Sequence, residues 1–111
     1  MVLFRLFLIT LVSAIVVYTA IVGDQHGWDF APIFFGDIMA MTWPGQFNFD
    51  FMGFLLMSGV WTAWRNGFSP VGLVLGLIAF FFGVLFLATY LLVLSVVEQG
   101  DIKSMLLGVN R

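Results

Sequence analysis

One stretch of the chain, residues 70–97, contains no charged side chain and reads PVGLVLGLIAFFFGVLFLATYLLVLSVV. A helix rises about 1.5 Å per residue, so about 20 apolar residues cross a hydrocarbon core about 30 Å thick. Residues 70–97 exceed that length. They predict a membrane-spanning helix that is tilted or extends beyond one side of the bilayer.

The composition of the whole chain also indicates an integral membrane protein. Of 111 residues, 62% are hydrophobic and 9% are charged, whereas soluble domains carry about 25% charged residues. The length predicts a single all-α membrane domain, residues 1–111, with no room for a large soluble catalytic domain. We therefore predict that the protein is not an enzyme.

The residue composition excludes cysteine chemistry and argues against nucleic acid as a partner. The chain has no cysteine, so disulfides, thiolate nucleophiles and cysteine-ligated metals are excluded. Its net charge is −2 and no run of basic residues is present, which argues against nucleic-acid binding. Membrane lipids remain the expected surroundings.

Residues 2–22 predict a first span. Arg5, near its start, is expected to extend towards the headgroups. A cleaved signal peptide is the alternative interpretation, but the apolar run is longer than the 7–15 residues of a signal core. Tyr18 also stands where a small residue would precede the cleavage site after Ala20.

Residues 23–46 predict a loop with a short helix lying in the membrane interface. Asp29 could cap this helix and Pro32 suits its first turn. Aromatic and apolar side chains then recur at helical spacing, with a tryptophan before and after them. The sequence Trp43-Pro44-Gly45 predicts its end.

Residues 47–64 predict the second span, with Asn48 and Asp50 near its start, where negative charge favours a helix N-terminus. Asn66-Gly67 predicts a turn, and Ser69-Pro70 predicts the start of the third span, residues 70–97. Residues 98–111 are a tail, either a short interfacial helix or disordered. Three spans with a cytoplasmic N-terminus place two basic residues on each side, so charge alone does not choose the orientation. The tendency of the first span to dominate, together with the terminal amine, predicts a cytoplasmic N-terminus.

Small residues predict where helices approach closely, because association in lipid depends on close packing. The helix-packing candidates are Gly72, Gly76, Ala79 and Gly83 in the third span, with Gly59 and Ala63 in the second. They could pack the protein's own helices or face another subunit.

Opposite those residues, the third span carries Phe80, Phe81, Phe82, Phe86 and Tyr90. This aromatic face could meet lipid or bind a flat apolar cofactor such as a carotenoid, chlorin or quinone. We expect the Tyr90 hydroxyl to find a partner in the first or second span.

The remaining polar candidates are Asp24, His26, Asp29, Asp37 and Asp50. Histidine and carboxylates can bind zinc or perform acid–base chemistry, and His26 could ligate a chlorin or haem metal. Their spacing matches no metal motif, and polar loops commonly hold such residues. We predict no catalytic or metal site.

The C-terminal two-thirds resembles an uncharacterised family of small three-span bacterial membrane proteins. The resemblance rests on residues 43–50 (WPGQFNFD), on the Asp50-Phe51-Met52-Gly53-Phe54 step and on the ending Trp61-x-x-Trp64-Arg65. It continues in residues 90–93 (YLLV), Gly100-Asp101 and residues 106–108 (LLG). It implies a three-helix protein of the bacterial inner membrane and assigns no site residue.

Size, helix-packing surface and the lack of a motif together predict a small accessory or structural subunit of a larger membrane complex, such as a photosynthetic, respiratory or transport assembly. The alternative is a binder or carrier of an apolar ligand on the aromatic face of the third span. An ion pathway would be expected to carry ionisable groups at mid-span, and none occurs there.

Overall fold

The protein is all-α in a computed structural model that describes residues 1–111, without any β-strand. The α-helices are α1 (Val2–His26), α2 (Ala31–Ala40), α3 (Trp43–Arg65), α4 (Pro70–Phe82), α5 (Val84–Val97) and α6 (Ile102–Leu107), followed by a 3-10 turn at Gly108–Asn110. Only α1 combines the length and the mean hydropathy of a membrane-spanning helix. α2, α4 and α5 are apolar but shorter, and α3 is 23 residues long but less apolar.

The uncharged stretch 70–97 is not one continuous helix. Gly83 adopts φ +60° and ψ −136°, a backbone conformation that residues other than glycine rarely adopt. The helix is interrupted there. Gly76 of α4 packs on Gly59 of α3, Gly83 lies beside Phe51, and Tyr90 of α5 contacts Asn66 beyond the end of α3. The chain therefore runs back along α3 and then reverses, so α4 and α5 form a hairpin.

The helices form two closely packed groups. In one, α3 packs against α4 and α2; in the other, α1 packs against α5. Arg5 reaches Ser95 and Met1 lies against Gly100, so α1 and α5 are antiparallel. The backbones of α3 and α5 remain apart. The two groups are joined at Gly83 and, at the other end of α5, by the tail.

Several predicted boundaries are corrected by the structure. α1 continues through Gly23 to His26, so the loop begins later than residue 23. Trp43 and Pro44 begin α3 and do not end α2, because proline fits a first helical turn as readily as a turn after a helix. The tail is ordered as α6 and the 3-10 turn.

Two predicted helix starts have different outcomes. Ser69 caps α4 as expected, with its Oγ accepting from the Gly72 N–H at 3.1 Å. Pro32 lies in the first turn of α2 as expected, but Phe30 and not Asp29 is the N-cap, without a side-chain hydrogen bond. The predicted Asp29 cap is therefore wrong.

Candidate functional site

The most polar buried site surrounds Arg65, the last residue of α3, which is 6% exposed. Its guanidinium donates to two backbone carbonyls of α6, from Nε to Met105 O at 2.5 Å and from Nη2 to Ser104 O at 3.2 Å. A buried charge needs such partners because removing it from water is costly. Arg65 thereby joins α6 to the end of α3.

Tyr90 of α5 completes this site from the other side. Its hydroxyl accepts from Asn66 Nδ2 at 2.9 Å and from Arg65 Nη1 at 3.3 Å. These partners lie just beyond the second predicted span, residues 47–64, and not within the first or second span as expected. The Arg65 guanidinium carbon also lies 5.8 Å from the Tyr90 ring centroid, within the range of a cation–π contact. The hydroxyl of Tyr90 is thus satisfied within the protein.

One acidic residue, Glu98, approaches both arginines near this site. Glu98, just after α5, lies 3.5 Å from Arg65 Nη2 and 3.8 Å from Arg111 Nη1. Its side chain is 27% exposed, and that of Arg111 is 55% exposed, so the second pair is a weak surface contact. Arg111 also donates to Ser104 Oγ.

The tail contacts α3 at two further points. Trp61 Nε1 donates to Leu106 O at 3.0 Å, and Asn110 Nδ2 donates to Trp64 O at 2.8 Å. Gly108 has φ +56°, and a Cβ there would overlap the backbone of Arg65. Because no side chain fits at Gly108, the tail can lie directly on the end of α3.

Arg5 makes a second polar contact between distant parts of the chain. Its Nε donates to Ser95 Oγ at 3.0 Å and its Nη2 to Ser95 O at 2.8 Å. Ser95 is fully buried. The prediction that Arg5 extends towards headgroups is therefore wrong: its guanidinium is used to hold α1 on α5.

The small residues predicted for helix packing lie mainly between α3 and α4. A Cβ on Gly59 would be 2.9 Å from the Gly76 carbonyl oxygen, and a Cβ on Gly76 would be 3.3 Å from Ala63 Cβ. Gly72 faces Ala63 and Asn66 in the same way, and Ala79 is completely buried. Here the small residues bring the protein's own helices together.

Gly83 differs from the other small residues because it ends a helix. A Cβ there would lie 3.2 Å from Phe51 Cζ and 3.3 Å from Leu55 Cδ2 of α3. Its small size still permits contact with α3, but its positive φ reverses the chain. Spacing alone did not separate these two roles.

A cleft separates α3 from α5, with a volume of about 520 Å³. Its walls are almost entirely apolar and its only polar side chains are Ser58 and Trp61, which lie on α3. The lining residues are Phe51, Phe54, Leu55, Met57, Ser58, Trp61, Gly83, Val84, Leu87, Leu91 and Leu106. The size and lining are typical of sites for apolar small molecules.

The predicted aromatic face does not form on one helix. The break at Gly83 leaves Phe80, Phe81 and Phe82 on α4, whereas Phe86 and Tyr90 lie on α5 and stack with their ring centroids 5.2 Å apart. None of these five residues lines the cleft between α3 and α5.

The polar candidates of the sequence, Asp24, His26, Asp29, Asp37 and Asp50, lie away from the Arg65 site, in the last turn of α1, in the connection to α3 and in the first half of α3. Asp24 and His26 belong to the last turn of α1, and no group of three or more histidine or acidic side chains is arranged to hold a metal ion. Asp50 is the eighth residue of α3 and is exposed, too far from the first turn to act as its cap. Asn48 donates to Phe34 O at 3.1 Å and so joins α2 to α3.

The Arg65 site unites the end of α3, Tyr90 and the Leu106-Leu107-Gly108 tail. Sequence reasoning placed Arg65 at a turn and missed its burial. The burial of Arg65 could have been suggested by the sequence of the tail, where Gly100 and Gly108 enclose a segment with apolar residues at its centre. Comparisons with protein-family models, curated proteins and solved structures give no match.

Proposed function

We propose that the protein is a small accessory subunit of the bacterial inner membrane, whose helix α1 packs against a larger membrane protein complex. The observation that carries the proposal is the surface of α1. Only 11% of the most apolar 18-residue stretch of α1 is buried, and α5 covers just one side of this helix.

The opposite side of α1 has the composition of a helix-packing surface. Leu8, Val12 and Ile15 face α5 at helical spacing, and the reverse side carries a shallow groove. The groove contains Thr10, Ser13, Ala14, Val17 and Tyr18. In lipid, small and hydroxyl-bearing residues favour close helix contact and interhelical hydrogen bonds. A helix of a photosynthetic, respiratory or transport complex would fit there.

The test is to solubilise native membranes in a mild detergent and separate complexes by size. We expect the protein to migrate with a larger complex, and the variant Ala14→Leu to release it because the added side chain fills the groove. Val16→Leu, on the flank of the same helix, is the matched control and should remain in the complex. Migration of the unaltered protein alone would contradict the proposal.

The cleft between α3 and α5 favours a second candidate function, the binding of an apolar ligand. Its volume of about 520 Å³ and its aromatic walls at Phe51, Phe54 and Trp61 suit a lipid chain, carotenoid, chlorin or quinone. This replaces the Phe80–Tyr90 face as the location of such a site.

Organic extraction of gently purified protein, followed by mass spectrometry and an absorption spectrum, tests the ligand proposal. We expect one apolar compound in near-stoichiometric amount, and its loss in Leu87→Trp, which narrows the cleft. Val93→Trp, on the exposed side of α5, should retain it. Protein that carries only the bulk lipid mixture would count against a specific ligand.

A further inference from the structure

All four basic residues of the chain lie at one end of the molecule. Arg5 binds Ser95, near the end of α5, and Arg65 binds the α6 carbonyls and approaches Glu98. Arg111 also approaches Glu98, and Lys103 belongs to α6 itself. We call this the basic end.

The hairpin of α4 and α5 produces this clustering. Because the chain reverses at Gly83, the start of α4 and the end of α5 both lie near Arg65. A continuous third span would have carried Lys103 and Arg111 to the opposite end. With thirteen residues in α4 and fourteen in α5, each arm is about 20 Å long, too short to cross the core.

The opposite end carries no lysine or arginine. α1 is 25 residues long, so Asp24 in its last turn lies about 33 Å from its first residue. Asp29 and Asp37 follow in the connection to α3, and Asp50 lies in the part of α3 that adjoins α2. We call this the acidic end.

From this arrangement we infer that the chain crosses the membrane twice, while the α4–α5 hairpin enters from the cytoplasmic face and returns to it. The two crossings are α1 and α3; α3 is less apolar than α1, but its 23 residues are long enough to span the hydrocarbon core. Residues 1 and 111 then lie on the same, cytoplasmic side. The inference rests on the membrane location in the proposed function. It replaces the three-span topology, in which those residues lie on opposite sides.

The distribution of charge selects the orientation. Lysine and arginine near spans are retained on the cytoplasmic side, and acidic residues count for little. A continuous third span divides the four basic residues equally, whereas the hairpin places four on one side and none on the other. The fold thereby converts a balanced charge pattern into a one-sided one.

The reversal also agrees with what a bilayer tolerates. Backbone without helical hydrogen bonds is stable at membrane depth only where protein covers it or where it lines a cavity. Gly83 is buried, its N–H donates to Ala79 O at 3.1 Å, and Phe51 and Leu55 of α3 lie beside it. The turn of the hairpin is thus shielded on one side by α3.

Single-cysteine labelling tests the topology without a prior cysteine knockout, because the chain contains no cysteine. The variants are Val2→Cys and Val109→Cys at the basic end and Gly36→Cys, in an open part of α2, at the acidic end. Each is expressed in bacterial cells and treated with a membrane-impermeant maleimide before and after permeabilisation. Ile102→Cys is a second tail position in case Val109→Cys fails to accumulate.

We expect Gly36→Cys to react in intact cells and both tail variants, like Val2→Cys, to react at least tenfold more after permeabilisation. Labelling of the tail but not of Val2→Cys in intact cells would overturn the inference in favour of a third crossing. Labelling of both ends but not of Gly36→Cys would overturn the orientation. Recovery of the protein in the soluble fraction would instead refute the membrane location. If the separate co-migration experiment finds no partner complex, the topology shown by the labelling still holds.

Discussion

Arg65 is the residue through which three distant parts of the chain meet. Its planar guanidinium donates in several directions at once, to carbonyls of α6, to the Tyr90 hydroxyl and to Glu98. Lysine carries the same charge but presents a single ammonium group, which cannot reproduce this set of contacts. The geometry of the side chain therefore matters here beyond its charge.

We expect Arg65→Lys to loosen the tail and lower the free energy of unfolding by about 1.5–3 kcal/mol, the usual worth of a hydrogen bond to a charged group. The measurement is the rate of chymotrypsin cleavage within residues 101–111 in detergent, together with the unfolding midpoint. Cleavage should become faster because α6 loses the donors that hold its carbonyls.

The matched control is the reverse exchange, Lys103→Arg, on the same tail. Lys103 is exposed and makes no hydrogen bond or ion pair, so its exchange should change stability by less than about 0.5 kcal/mol. Equal cleavage rates for the two variants would show that Arg65 acts only as a charge.

At the scale of elements, α3 and α4 are paired through glycine. Gly59 and Gly76 face each other so closely that a Cβ on either would approach the other's carbonyl oxygen within 2.9 Å. Close approach of this kind gives helices in lipid their dispersion contacts. The pairing explains why small residues, rather than large apolar ones, occupy this surface.

Gly59→Leu is expected to lower the free energy of unfolding by about 1–3 kcal/mol or to prevent folding, because the added side chain forces α3 and α4 apart. Gly53→Leu is the control within the same helix, because nothing lies within 4 Å of a Cβ there. Leucine also stabilises a helix relative to glycine by about 1 kcal/mol. Thermal unfolding in detergent measures both. If the two midpoints fall equally, the α3–α4 pairing is not what stabilises the fold.

The sequence was sufficient for some elements and not for others. The apolar run of α1, the Ser69 cap and the Gly59–Gly76 spacing follow from local chemistry and could be predicted. The break at Gly83 could not, since a glycine in an apolar run fits a packed helix as well as a reversal. The residues that pack against the reversal, Phe51 and Leu55, are far away in sequence.

At the scale of the whole molecule, the candidate site was harder to predict than the elements. Arg65, Tyr90 and the tail come together only because α5 returns towards the end of α3. Once residues 70–97 are taken as a single span, the tail is placed at the wrong end and Arg65 has no partner. The reversal of the chain at Gly83 thus decides both the site and the distribution of charge.

The depth of the hairpin gives the protein an uneven outline across the bilayer. In the proposed orientation four helices, α1, α3, α4 and α5, occupy about the cytoplasmic two-thirds of the hydrocarbon core, because arms about 20 Å long enter a core about 30 Å thick. Of these four, only α1 and α3 continue to the outer face. The protein therefore displaces more lipid from one leaflet than from the other. Such a wedge fits best where the membrane curves or where a neighbouring protein fills the narrower half.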